Sequence, residues 1–245
     1  MKLNCDLGES FGAWSMPVES AIMAEIDQAN IACGFHAGDP LVMKQALFLA
    51  KTHGVAVGAH PAYPDLQGFG RRSMAIASDE LNAMLQYQVS ALSGMAALYG
   101  VNVTYVKPHG ALYNDMMKNA EVRRTVMQSI AEINASSTGA PLTLMVQATA
   151  QNAALKEEAK GWELPLYFEA FSDRRYTDEG VLQSRGIEGA VLDEDDALMQ
   201  AEQLIESGTV TTASGKTLTV EADSLCVHGD TQGAVSIAQR IRSFL

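Results

Sequence analysis

Five separated segments of this chain share one design, a short apolar run that leads into glycine and a titratable side chain. They are Leu3-Asn4-Cys5-Asp6-Leu7-Gly8-Glu9, Ile31-Ala32-Cys33-Gly34-Phe35-His36-Ala37-Gly38-Asp39, Val55-Ala56-Val57-Gly58-Ala59-His60-Pro61, Val106-Lys107-Pro108-His109-Gly110 and Leu225-Cys226-Val227-His228-Gly229-Asp230. A short run of this kind is the pattern of a parallel strand covered on both faces. Glycine and a polar group at its end mark where the strand delivers a side chain to the rim. Repeated around a closed sheet, the design gathers reactive groups at one end of a barrel, where barrel enzymes carry out their chemistry.

The intervening sequence supplies the helices. Strands are predicted over 2–6, 29–34, 55–60, 103–107, 142–147, 166–170 and 224–228. Helices are predicted over 17–27, 40–53, 78–99, 119–134, 149–159, 194–207 and 231–243. In the 78–99 segment Ser78 can cap the helix, and Asp79 and Glu80 suit its positive end. Leu81, Met84, Leu85, Val89, Leu92 and Met95 form one apolar stripe, and Gly100 closes it. Strict alternation of this kind implies parallel strands joined by helices. The expected architecture is an α/β (β/α) barrel of about seven parallel strands, formed as a single domain over residues 1–245.

The segment 209–220 breaks the alternation. Two β-branched runs flank Ser214-Gly215-Lys216, which reads as a surface hairpin. Gly215-Lys216-Thr217 resembles the end of a phosphate loop, but Val210 stands where that loop needs a glycine.

Composition narrows the function. With 47% hydrophobic and 19% charged residues, the 245-residue chain can bury a large core. A net charge of −12 argues against nucleic acid or an anionic membrane surface as a partner. The start, Met1-Lys2-Leu3-Asn4, has no long apolar run and predicts no signal peptide. Three cysteines, Cys5, Cys33 and Cys226, fall in predicted strands and read as reduced thiols of a cytoplasmic protein.

The candidate chemistry lies at the strand ends. Asn4 and Asp6 share one face of the first strand, with Cys5 on the other; Glu9 follows in the loop. A structural alternative for Asp6 is bonding to neighbouring backbone amides. Asp39 precedes Pro40, the pattern of an ordinary helix cap, and Asp230 precedes the last helix in the same way. His36, in a glycine-flanked loop, and His60, before Pro61, are better candidates than His53 near a helix end. Asp6, His36 and His60, on separate strands, form a candidate divalent-metal trio. Lys107 at a strand end is a cation whose pKa desolvation can lower. Its structural alternative is a buried ion pair with Asp6 or another carboxylate. Arg71 and Arg174, on loops after strands, can grip a carboxylate in bidentate fashion, while Arg72 and Arg175 read as surface charge.

Together these segments resemble the LamB/YcsF family. The resemblance runs through 3–9, 33–39, 58–72, 106–114, 169–180 and 227–230, in order and across essentially the whole chain. One departure is Ser172, where the family pattern has alanine. The resemblance implies a distorted TIM-like barrel of the glycoside hydrolase/deacetylase type. It implies the role of the A component of a bacterial ATP-dependent 5-oxoprolinase. Working with subunits B and C, that enzyme opens 5-oxo-L-proline to L-glutamate while ATP becomes ADP and phosphate. This chain has no recognisable nucleotide loop, so ATP is expected mainly on the partner subunits. With roles assigned by residue type, Asp6 or Glu9 is the base for water, and His36, His60 or His109 moves protons, with His228 a further catalytic candidate. Lys107 offsets negative charge at the reacting carbon. Asn4, Asp39, Arg71, Arg174 and Asp230 hold the substrate. Two rival readings stay open, a stand-alone metal-dependent amide hydrolase or deacetylase and a non-catalytic subunit that binds a small carboxylate.

Overall fold

The computed structural model describes residues 1–16, 19–229 and 233–245. Seven parallel strands close into a barrel: β1 (Lys2–Leu7), β2 (Gln28–Ala32), β3 (Ala56–His60), β4 (Val103–Val106), β5 (Thr143–Gln147), β6 (Leu166–Phe171) and β9 (Ser224–Val227), with β9 pairing back onto β1. β7 (Thr209–Thr211) and β8 (Thr217–Thr219) form the separate antiparallel hairpin, and Gly215 sits in its turn. The Gly215-Lys216-Thr217 sequence therefore belongs to a hairpin and not to a strand-to-helix phosphate loop.

Helices α1 (Glu19–Met23), α2 (Pro40–His53), α3 (Ser78–Leu98), α4 (Gly110–Lys118), α5 (Ala120–Ser136), α6 (Asn152–Lys160), α7 (Glu194–Ser207) and α8 (Ala234–Arg242) surround the barrel. Their buried faces, such as Leu81, Leu85, Val89, Leu92 and Ala96 of α3, pack on the outer faces of the strands. Asp39 caps α2, accepting from the Leu41 and Val42 amides, with Pro40 at the first helical position.

Three local expectations need correction. Ser78 is not the cap of α3. The cap is Ala77, without a side-chain bond, and the Ser78 hydroxyl donates to Glu121. The helix expected over 17–27 is only α1 among the described residues. Beyond it the Asp27 amide donates to the Leu3 carbonyl and the Asp27 carboxylate accepts from the Leu3 amide, so the chain has already turned to start β2. α4 has no counterpart in the expectation. It starts directly after His109, held by a bond from the Ala111 amide to the Gly70 carbonyl. Tertiary contact fixes that first turn where local propensity is weak.

The barrel interior is unusual in being polar. Barrels of this size are generally filled by layers of branched aliphatic side chains. Here Asn4 donates to Ser224 (2.8 Å), Ser224 to Gln28 (2.8 Å), and Asn30 to both Asn4 and Asp6 (2.8 Å each). The Tyr105 hydroxyl completes the layer on Asn30 at 2.7 Å. Its ring fits because Gly58 faces it: a Cβ at that position would lie 2.1 Å from the Tyr105 ring. In this layer the amides and hydroxyls bond one another, which is the condition for burying them without a large penalty. This satisfied layer is the floor on which the site stands.

Candidate active site

The strand-end side chains converge at one end of the barrel. β1 delivers Asp6 and then Glu9, the loop after β2 delivers His36, and β3 ends at His60. The segment after β4 carries Lys107 and His109, that after β6 carries Asp173 and Arg174, and that after β9 carries His228. Asp6, His60, Arg71, Lys107, His109, Arg174 and His228 all line one cavity of about 330 Å³. Glu9 and His36 do not line it. They lie behind, joined to its wall through His109 and His60. A larger groove of about 630 Å³, lined by residues such as Met74, Ile76, Asp115 and Val122, holds neither histidine nor arginine and lies away from this convergence.

Lys107 is the charge centre. Its ammonium is buried and lies 3.0 Å from Asp6 and 2.9 Å from Glu169, with the Asn4 carbonyl oxygen at 3.3 Å and the Cys226 sulfur at 3.2 Å. Burial alone pulls a lysine pKa down, as expected from the sequence. Asp6 and Glu169 outweigh it and hold the ammonium well above the ordinary lysine value. Lys107 therefore remains a fixed positive charge and does not act as a proton carrier at neutral pH. Burial would likewise raise the Asp6 carboxyl, but His60 and Lys107 hold it well below the ordinary range. The Cys226 thiol, also facing this interior, is pushed well up by burial and stays protonated.

Two imidazole systems flank the ion pair. His228 turns Nδ1 to the fully buried Asp173 carboxylate, at 2.9 and 3.0 Å from its two oxygens. A carboxylate in that position fixes the ring and leaves Nε2 as the nitrogen for chemistry. On the other side His36 and His109 stack face to face with centroids 3.7 Å apart, and His60 stands perpendicular to both. Burial, reinforced by the neighbouring rings, depresses His36 and His109 well below the ordinary imidazole value, so both are neutral at pH 7. The loop that closes over them is strained: Phe69 has φ of 54°, and its carbonyl accepts from His109 Nε2 at 2.8 Å. Gly70 follows with φ of 63°. A Cβ there would meet both His109 and His36 at 2.8 Å.

Arginines supply the positive wall. Arg71, Arg174 and Arg185 all line the cavity. Burial together with Arg185 and Arg71 pulls Arg174 down to about 10, against the pull of Asp173. Its Nε is buried and unpartnered in the described structure. Several guanidiniums directed at one small space mark a place for an anion.

Among the other candidates, Asn4 lies one layer deeper, in the polar floor. Asp39 is outside the cavity, and both of its oxygens are engaged, by the start of α2 and by the Gly12 amide. Asp230 falls outside the described residues. Arg72 pairs with Asp65 and Arg175 with Asp196, which agrees with their reading as surface charges. Of the metal trio expected from sequence, His36 and His60 come together with Glu9 and His109, while Asp6 lies in a second group with Cys226 and His228. One Asp6 oxygen accepts from Lys107 and Asn30, and the other faces His60 Nε2 at 3.4 Å.

Sequence reasoning missed Glu169, Asp173 as a partner of His228, and Arg185. Glu169 had a usable signal, as the one charge inside the apolar run Leu166–Phe171. Asp173 had a weaker one, at a strand end next to Arg174. Arg185 lies in a loop whose course no local pattern reveals.

The profile of the LamB/YcsF family matches residues 1–245. The chain is 47% identical over 246 residues to the A component of 5-oxoprolinase from Vibrio parahaemolyticus, covering 100% of this chain and 95% of the relative. It is 47% identical over 244 residues to the corresponding component from Pseudomonas fluorescens, covering 99% and 96%. The crystal structure of a lactam utilization protein from Thermus thermophilus superposes with a TM-score of 0.88 at 38% identity, covering 100% of this chain and 95% of that one. The chain belongs to the LamB/YcsF family.

Proposed function

We propose that this chain is the ring-opening subunit of an ATP-dependent 5-oxoprolinase of the cytoplasm. It converts 5-oxo-L-proline to L-glutamate together with partner subunits B and C, and ATP becomes ADP and phosphate on the partners. The observation that supports this most directly is the cavity itself. It combines a fixed ammonium, an oriented Asp–His pair and an arginine wall within about 330 Å³, a volume suited to a small monocarboxylate. The names of the relatives point to the same substrate.

In this reading Arg174, with Arg71, holds the substrate carboxylate. The lactam carbon then faces Lys107, whose charge offsets the oxyanion that forms when water adds. His228, oriented by Asp173, takes the proton from that water and returns one to the ring nitrogen as the carbon–nitrogen bond breaks. Asp6 keeps Lys107 and His60 in position; its depressed pKa makes it a better anchor than base. A lactam is resonance-stabilised, so ATP hydrolysis on the partner subunits supplies the drive for its opening.

The test is reconstitution. The three subunits together hydrolyse ATP only when 5-oxoproline is present and release glutamate, whereas omission of this chain abolishes glutamate release. An Asp173→Asn chain lowers turnover by about 10²–10⁴-fold. Glutamate release by the partners alone, at the rate of the full complex, contradicts the proposal.

A further inference from the structure

The histidine cluster behind the cavity contains a proton count that does not close. The Nδ1 of His60 lies 2.7 Å from the Lys107 carbonyl oxygen, and the Nε2 of His109 lies 2.8 Å from the Phe69 carbonyl oxygen. A backbone carbonyl only accepts, so each of these nitrogens carries the hydrogen. The other two nitrogens, His60 Nε2 and His109 Nδ1, face each other at 2.9 Å, with a single place between them for a cation, either a shared proton or a metal ion. Among the described residues two carboxylate oxygens flank that contact. The Glu9 Oε1 oxygen is 3.4 Å from His109 Nδ1, and an Asp6 oxygen is 3.4 Å from His60 Nε2. His36 reaches the same Glu9 oxygen at 2.9 Å, and its own Nδ1 is buried without a partner in the described structure. Converging lone pairs in a buried site require a cation.

We propose that the missing cation is a divalent transition metal of the zinc class, held by Glu9, His36, His60 and His109. One ligand atom from each of the four lies within 4.8 Å of every other. Tetrahedral zinc with bonds of about 2.0–2.1 Å keeps its ligand atoms about 3.3 Å apart, so small rotations complete the set. Three imidazoles and one carboxylate suit zinc far better than magnesium or calcium, which take all-oxygen sites. The outer contacts are those of a built site: the carbonyls of Lys107 and Phe69 hold two of the rings by their far nitrogens. The strained Phe69–Gly70 turn is what brings the Phe69 carbonyl over His109. The metal so held would fix the His60 and His109 wall of the cavity from behind. The inference stands apart from the ring-opening reading, because it concerns the chain alone and needs neither substrate nor partner.

The experiment is metal titration of the full chain after chelator treatment, using Zn²⁺ and Co²⁺. The expected result is one tightly bound ion per chain, a visible cobalt spectrum of low coordination number, and X-ray absorption of the zinc form with imidazole scattering. His60→Gln and His109→Gln weaken binding by about a hundredfold or more, since loss of a ligand exceeds loss of an outer contact. His53→Gln, on the exposed end of α2, leaves it unchanged. The X-ray absorption and cobalt measurements are made on the wild-type chain, so poorly folded variants do not disable the test. Absence of saturable binding, a bound ion without imidazole ligands, or wild-type binding by the folded His60 and His109 variants overturns the proposal. So does a proton that persists between His60 and His109 at pH 8 with no metal taken up.

Discussion

Each reactive side chain in this protein takes its character from one or two neighbours. Lys107 shows it most clearly. Desolvation alone would make it a proton carrier, and two carboxylates make it a permanent charge. The histidines show the opposite outcome, with burial winning for His36 and His109. Their depressed values carry a consequence for stability. Unfolded, each ring takes up its proton near pH 6.5, while in the fold it stays neutral to lower pH. Below about pH 6.5 the unfolded state therefore binds more protons, and stability falls as pH falls, by roughly 1.4 kcal/mol per pH unit for each ring. Asp6 acts with the same sign in a lower window. Its stabilisation is present above about pH 3.9 and is lost as pH falls through its depressed folded value. The urea midpoint, measured with chelator present, is expected to drop steadily between pH 7 and pH 5. A flat profile across that interval contradicts the neutral, buried rings.

The elements themselves were largely legible in the sequence because burial on both faces leaves so plain a mark on a parallel strand. All seven barrel strands fall within a residue or two of their expected limits. So does α2, where Asp39, Pro40 and Gly54 punctuate both ends. The failures have a common cause. α4 and the shortened α1 are set by contacts with distant segments, Gly70 in one case and Leu3 in the other. Gly58 belongs to the same class, since its reason for being glycine lies on the next strand. A Gly58→Ala chain must push the Tyr105 ring away and disturb the Asn30 layer beneath Asp6. The expected cost is about 1–3 kcal/mol. At roughly 2–4 °C per kcal/mol for a chain of this size, thermal unfolding reads it easily. An unchanged melting temperature contradicts the tight Tyr105–Gly58 contact.

At the scale of the whole molecule, closure of the barrel does the chemical work of assembly. Residues 4 to 228 meet because the strand order runs β1-β2-β3-β4-β5-β6 and returns through β9. The strand-end pattern reveals most members of that rim but not their pairings. His60 and His109 are 49 positions apart, and His228 and Asp173 are 55 apart; nothing local records that they touch. The pairing of Glu169 with Lys107, just after β4, is equally unrecorded locally, although the charge itself stands out in its apolar run. The central claim is that this rim, with Lys107 and Asp6 at its centre, is where the lactam opens. Its most direct test is glutamate formation by the reconstituted complex carrying an Asp6→Ala, Lys107→Ala chain whose circular dichroism matches the wild type. The account predicts that glutamate formation falls by about 10²-fold or more. Glutamate released at the wild-type rate contradicts it.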